Sequence, residues 1–225
     1  MAYTYPVPLS GFFSKLPIQN ASLELGEAYE MNETGFGELL TASLGSRLWK
    51  MDISLRGGSY NEMEELRSKV NLLRQPGKTF LIHSIPGAYP RHDPTGSILG
   101  ANQVTINSVR ANQIELNFTG LPVGYRLYEG DYFSFEYGTN PVRYAFHQMV
   151  LSNTSNNFVN ANASGTTQFM EVTPALRPGF AVGANVTIIK PVFKALIVPG
   201  TGKLGKTGGR ETSGISFSAI QTLRN

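Results

Sequence analysis

One motif near the C-terminus has the spacing of a phosphate-binding site. Residues 200–207 (GTGKLGKT) match the pattern GxxxxGK[ST] at every position and follow a strand-like run. That pattern binds phosphates because a helix begins directly after it and presents backbone amides to them. Here Gly208 and Gly209 follow, and glycine is a poor helix former. We therefore predict a flexible basic loop over 199–214 that orders against a neighbouring molecule.

A metal site would need ligands at a recognisable spacing. The sequence has no cysteine and three histidines, His83, His92 and His147, and none of them forms a zinc pattern such as HExxH. His92 and Asp93 are adjacent and precede Pro94, so we interpret them as a hydrogen-bonded turn. We predict no metal site and no bound cofactor.

Catalytic side chains show no recognisable pattern either. The sequence has no GxSxG elbow, although a Ser/His/Asp triad is assembled in space and can escape a search by spacing. Glu64 and Glu65 are predicted on the solvated face of a helix. The remaining acidic candidates flank one predicted strand: Glu129, Asp131 and Glu136. We predict no catalytic residue and a protein that is not an enzyme.

Aromatic side chains crowd one stretch of the sequence. They are Tyr125, Tyr128, Tyr132, Phe133, Phe135, Tyr137, Tyr144 and Phe146. Such residues can form a stacking platform for sugars or single-stranded nucleic acid. They also dominate β cores and subunit contacts, and we favour this second interpretation.

The elements that would carry these residues begin with a strand, a helix and a strand. Leu48–Arg56 alternates apolar and polar residues, which is typical of a half-buried strand. Ser59 and Glu62 fit a capping box, and an apolar stripe predicts one helix: Met63, Leu66, Val70 and Leu73. Pro76-Gly77 ends this helix, and 79–83 is strand-like. The sequence shows no second helix of similar quality, which excludes a doubly wound α/β fold.

Short strands separated by turns dominate the rest of the chain. Those of the middle region are predicted at 103–109, 113–118, 131–137, 143–150, 167–172 and 186–189. Two more are predicted at 191–198 and 214–221. We therefore predict a mainly β fold: a first β domain with one packed helix (1–100 and 190–225) and an inserted second β domain, a small barrel or sandwich (101–189). Segments 1–20, 84–100 and 199–214 are predicted to be flexible and to order only in an assembly.

Composition narrows the class of protein further. Of the 225 residues, 41% are hydrophobic and only 16% are charged, which suits a protein that hides surface in an assembly. The net charge of +3 is scattered, unlike the clustered charge of nucleic-acid binders. We predict no signal peptide and no membrane span.

Several stretches resemble one family. The run LWKMDISL, the capped helix and GKTFLIH resemble the core of tail-tube-like proteins. The second part of the chain resembles the outer domain of distal tail proteins of long-tailed (siphovirus-type) bacteriophages, related prophages and gene transfer agents. This resemblance rests on LPVGYRLYEGDYFSFEYG, RYAFHQMV, FMEVTPALRPGFAVGANVTI, PVFKALIVPG and the closing GISFSAIQ.

The resemblance implies that residues 1–100 and 190–225 form a tail-tube-like β-sandwich and that residues 101–189 form an OB-like β-barrel. It also implies a structural virion protein of the tail tip, made in the bacterial host cytoplasm. Such proteins form a homo-oligomeric ring, usually of six copies, between the tail tube protein and the hub, fibre and receptor-binding proteins, with DNA only passing through the lumen. One alternative is a β-barrel module that binds host-surface carbohydrate. The least favoured alternative is a nucleotide-binding enzyme that uses Lys206 and Thr207.

Overall fold

The structure of the chain is a computed structural model, and it describes residues 3–151 and 156–224. One α-helix, α1, spans Tyr60–Leu73. The first strands are β1 (Ile18–Leu25), β2 (Tyr29–Glu33), β3 (Leu39–Ser43), β4 (Trp49–Leu55), β5 (Gly58–Ser59), β6 (Phe80–His83), β7 (Val104–Val109), β8 (Glu115–Thr119) and β9 (Arg126–Tyr128). The others are β10 (Tyr132–Tyr137), β11 (Arg143–Val150), β12 (Phe158–Asn160), β13 (Met170–Thr173), β14 (Asn185–Thr187), β15 (Val192–Ile197), β16 (Lys203–Gly208) and β17 (Glu211–Gln221).

The chain divides into two compact units. The first runs to Phe80 and resumes at Ala195–Thr222, and the second comprises Leu81–Lys194 with the last residues of the chain. The predicted domain boundaries were 100/101 and 189/190, so residues 81–100 and 190–194 belong with the barrel in this division. The predicted fold class, mainly β with one helix and a small inserted barrel, is confirmed.

A seven-stranded sheet forms the framework of the first unit. Its order is β1-β4-β17-β15-β6, and β5 and β16 also pair with β17. Alternate residues of β4 are buried, as the period-two pattern predicted. The apolar stripe of α1 is confirmed, since all four of its predicted residues are buried. At its start, the Ser59 hydroxyl donates to Glu62 Oε2 at 2.8 Å and makes no hydrogen bond to the helix backbone, so the predicted hydroxyl–amide bond of the capping box does not form.

The N-terminal segment is packed, and the prediction of a flexible arm over 1–20 is wrong for its described part. Two short 3-10 turns place Phe12 and Phe13 in the core, where Phe12 is 1% exposed. The Phe12 ring meets Phe80 edge-on at 5.1 Å. The Val7 amide donates to the Thr79 carbonyl at 2.9 Å. Aromatic burial of this size outweighs the entropy of ordering a short segment.

The second unit is built around a closed six-stranded barrel. Its strands follow the order β10-β11-β13-β8-β7-β14, and β9 pairs with β12 in a separate two-stranded sheet. The sequence predicted all six barrel strands, with no end displaced by more than three residues, but it missed β9 and β12. A contiguous apolar cluster fills the barrel, including Phe118, Phe133 and Phe135.

Residues 84–100 contain neither helix nor strand, so the predicted loop is confirmed, but its predicted flexibility is wrong. Asp93 is fully buried, and its carboxylate accepts a hydrogen bond from the Leu99 amide at 2.8 Å. Leu99 belongs to the barrel core. The loop is rich in proline and glycine, yet it is packed, because the buried Asp93 carboxylate binds a backbone amide of the same loop.

Candidate assembly interface

An isolated hairpin is the most exposed regular structure of the first unit. Strands β2 and β3 pair only with each other, and every residue in both strands is exposed. Six large apolar side chains lie on or next to this hairpin without cover: Tyr29, Met31, Phe36, Leu39, Leu40 and Leu44. Phe36, at the tip, is 102% exposed. Exposed apolar patches of this kind mark interaction surfaces, and a lone two-stranded sheet is only marginally stable in water.

The hairpin is also acidic. Between residues 27 and 44 the chain carries four carboxylates and no lysine or arginine: Glu27, Glu30, Glu33 and Glu38. A hydrogen bond to Glu27, together with its negative charge, raises the pKa of Tyr29. At the base of the hairpin, the Arg47 guanidinium donates to the Gly26 carbonyl at 3.1 Å. The acidic hairpin, as we call residues 27–44, thus combines apolar side chains with negative charge.

The phosphate-binding motif lies in a second hairpin, so the predicted flexible loop over 199–214 is wrong. β16 pairs antiparallel with β17, with Lys206 opposite Ser213 and Thr207 opposite Thr212. The Thr207 and Thr212 hydroxyls hydrogen bond at 3.0 Å. A strand and a tight turn follow Thr207 where a phosphate site needs a helix. The local geometry is therefore that of a β-hairpin.

This second hairpin is basic and anchored to the helix. Its exposed charged residues include Lys203, Lys206 and Arg210, and we call residues 203–216 the basic hairpin. The Arg67 guanidinium donates two hydrogen bonds, at 3.0 and 2.9 Å, to the Leu204 carbonyl. The hairpin therefore has a fixed base on α1 and a charged outer surface.

The three histidines occupy separate structural positions. His147 is buried in the barrel, stacked on Phe133 and Phe135, and its Nδ1 lies 2.8 Å from the Pro174 carbonyl. Burial lowers the pKa of His147 to about 4. His83 lies in β6, and burial lowers its pKa as well. No group of three or more potential ligands among the described residues could hold a metal ion.

His92 and its neighbours form the predicted turn. The His92 ring meets Tyr125 edge-on at 5.3 Å, and the Asp93 carboxylate bonds within its own loop. Asp131 accepts from the backbone amides of Arg91 (3.0 Å) and Tyr128 (2.9 Å), and burial raises its pKa. These side chains close loops, and their observed contacts are structural.

The other acidic candidates lie apart from one another. Glu64 bonds Arg67 on the surface of α1 at 2.8 Å, and Glu65 lies on the same helix. Glu129 is exposed at the turn before β10, and Glu136 is exposed within β10.

Most side chains of the aromatic cluster are buried, in line with the interpretation favoured from the sequence. Tyr125, Phe133, Phe135, Tyr137 and Phe146 are buried, whereas Tyr128, Tyr132 and Tyr144 are partly exposed. Tyr144 borders an open polar groove of about 430 Å³ on the barrel unit. The groove is lined by Gln103, Ser134, Phe135, Glu136, Tyr144, Asn185, Thr187 and Val192. Burial and the neighbouring Glu136 raise the pKa of Tyr144.

Sequence reasoning missed the acidic hairpin although a signal was present. Tyr29-Glu30-Met31-Asn32-Glu33 alternates apolar and polar residues, and Gly35 and Gly37 supply a turn. In the structure, the Gly37 amide donates to the Thr34 carbonyl at 2.9 Å and closes that turn. The short run was overshadowed by the stronger strand at 48–56.

Comparison with protein-family models and with curated proteins found no match to this chain. No helix among the described residues has the length and apolar character needed to cross a membrane. The fold and its surfaces define a mainly β protein of two units that carries an uncovered apolar hairpin.

Proposed function

We propose that this protein is a structural, ring-forming protein of a bacteriophage-type tail tip, which links the tail tube to the hub and receptor-binding proteins. The observation that carries the proposal is the acidic hairpin. Its apolar side chains have no cover within their own unit, so a second copy of the chain is the partner we assign to them. The strand–helix–strand order and the small barrel support the same proposal through the resemblance described above.

The architecture is consistent with a scaffold. The six-stranded barrel has a filled apolar core, and the motif residues Lys206 and Thr207 lie in a hairpin. An open sheet edge at β1 gives the first unit a further backbone surface that a neighbouring copy can cover. Ring formation would bury both the hairpin and this edge.

Light scattering after size exclusion, with negative-stain images of the same peak, tests the proposal. We expect open-centred rings with a mass about six times the 24.6 kDa of the chain. The triple variant Phe36→Ser, Leu39→Ser, Leu40→Ser should shift the protein to monomer. The matched control, Val123→Ser with Val182→Ser, removes exposed aliphatic side chains from the other unit and should leave the mass unchanged. Monomeric wild-type protein, or rings unaffected by the triple variant, would contradict the proposal.

The groove beside Tyr144 favours a second candidate function, binding of cell-surface carbohydrate. It combines an aromatic ring with a carboxylate and amides, Glu136, Asn185 and Gln103 among them, and these groups recognise sugar faces and hydroxyls. A glycan array probed with the full-length protein tests this function. Binding that is lost in Tyr144→Ala and Glu136→Gln would support it, and an array without signal would contradict it.

A further inference from the structure

We propose that the acidic hairpin of one copy docks on the basic hairpin of the next, in a head-to-tail contact that repeats from subunit to subunit. This inference rests on the proposed ring and assigns the surface that receives the acidic hairpin. It is carried by the position of the two hairpins in the sheet and by their complementary charge.

The two hairpins project from opposite ends of one sheet. Leu25, just before the acidic hairpin, pairs with Trp49 at the start of β4. Glu211, at the turn of the basic hairpin, pairs with Ser59 beyond the other end of β4. Counted along β17, about nine residues at ~3.3 Å each place the turn of the basic hairpin about 30 Å from the start of β4, where the acidic hairpin ends. Within one copy, the turn of the basic hairpin therefore lies far from the base of the acidic hairpin.

Within the plane of the sheet, the two hairpins also lie on opposite sides of β17. Ser216 of β17 pairs with Ser54 of β4 on one side and with Lys203 of β16 on the other. The acidic hairpin connects β1 and β4, so it belongs to the β4 side. Contact between such non-equivalent surfaces is heterologous, and heterologous contacts generate rings when the rotation closes.

The charges of the two surfaces are complementary, since the three cations of the basic hairpin outnumber its one carboxylate, Glu211. Among the described residues, no salt bridge or side-chain hydrogen bond engages Lys203, Lys206 or Arg210 within the chain. On the acidic hairpin, Glu30, Glu33 and Glu38 likewise have no cationic partner within the described chain. Complementary charge of this kind steers association and fixes which surfaces meet.

The backbone of the basic hairpin can also accept a strand. β17 is the only strand paired with β16 among the described residues, and the Arg67 guanidinium already occupies the Leu204 carbonyl, so strand addition uses the rest of the outer edge of β16. Gly205 and Gly208 lie in β16 and Gly209 follows it in the turn, so these three positions carry no side chain. The outer edges of β2 and β3 are equally unpaired, so an added strand gives main-chain hydrogen bonds between copies.

A charge-swap experiment on the full chain tests the contact. The acid-reversed variant carries Glu30→Lys, Glu33→Lys and Glu38→Lys. The base-reversed variant carries Lys203→Glu, Lys206→Glu and Arg210→Glu. For each variant alone, the dissociation constant of self-association, measured by light scattering at moderate salt, should rise roughly tenfold or more, because like charges then face each other. An equimolar mixture should recover assemblies, since the reversed hairpin of each variant complements the other variant.

Trp49 fluorescence in urea shows whether the variants keep the fold of the first unit, and unchanged transitions are expected. Rings that persist in both variants would overturn the contact while leaving the proposed ring intact. A mixture that stays monomeric would also overturn the contact. Wild-type rings whose stability does not depend on salt would overturn the contact alone, and wild-type protein that does not self-associate at any concentration would overturn both the contact and the ring. If base reversal abolishes binding to a DNA duplex in a gel-shift assay but leaves rings intact, the basic hairpin is a nucleic-acid surface and the contact is refuted.

Discussion

His147 should make the stability of the barrel unit depend on pH below neutrality. Its pKa is about 4 in the folded protein against an ordinary value of 6.5, because burial between Phe133 and Phe135 disfavours the charged ring. The Pro174 carbonyl can only accept a hydrogen bond, so Nδ1 carries the proton of the neutral ring. A positive charge on Arg177 lowers the pKa of His147 further.

The sign and size of the effect follow from proton linkage. Between pH 6.5 and 4, His147 binds a proton in the unfolded chain but not in the folded protein, so the free energy of unfolding falls as the pH falls. The shift of about 2.5 units corresponds to a total loss of about 3 kcal/mol, of which about 2 kcal/mol is lost by pH 5. The lowered pKa of His83 acts in the same direction, and the raised pKa of Asp131 acts in the opposite one.

His147→Asn isolates this contribution, since asparagine keeps a donor for the Pro174 carbonyl and does not titrate. Urea unfolding at pH 7, 6, 5 and 4, followed by the tyrosine near-UV circular dichroism of the barrel, should show a shallower pH dependence in the variant. Trp49 fluorescence in the same samples reports the first unit. NMR titration of the wild-type His147 ring should give a pKa about 4. Equal pH slopes in the two proteins, or a measured pKa near 6.5, would refute the reasoning.

Three further substitutions test the packing described above. Phe12→Ala should destabilise the first unit by about 3–5 kcal/mol in urea unfolding followed by Trp49 fluorescence, and a flexible arm would show almost no change. Gly120→Ala should cost roughly 1–3 kcal/mol in barrel stability, because φ is +87° and a Cβ would overlap the Gln103 carbonyl oxygen; a neutral result in thermal unfolding would contradict this geometry. Arg67→Met should speed hydrogen exchange of the β16 amides by removing two hydrogen bonds, and unchanged exchange would show that the anchor is dispensable.

The local patterns of the sequence predicted the elements that depend on neighbouring residues. The α1 stripe of Met63, Leu66, Val70 and Leu73 repeats at helical spacing and is buried as a unit. The alternation of β4 likewise reports one buried face. These elements were predictable because each buries a single face against the core, whichever partner covers it.

The candidate interface was predicted only in part. The basic residues around Lys206 were expected to meet a neighbour, but they were expected to do so from a flexible loop. Pairing with β17 orders them instead, because Thr207 and Thr212 lie opposite each other in register. The acidic hairpin was missed because every residue of its two strands is exposed, whereas the apolar patterns used to predict strands arise from burying one face of a strand.

By itself, the sequence determined a mainly β chain with one amphipathic helix, an aromatic barrel core and no thiol chemistry. The tertiary structure alone decided that Phe12 packs in the core, that Asp93 is buried, and that a phosphate-motif match forms a hairpin. The physical reason is that these outcomes depend on contacts between residues far apart in the chain. Glycine, proline and short polar runs permit either a loose or a packed backbone, and only the distant partner selects between them.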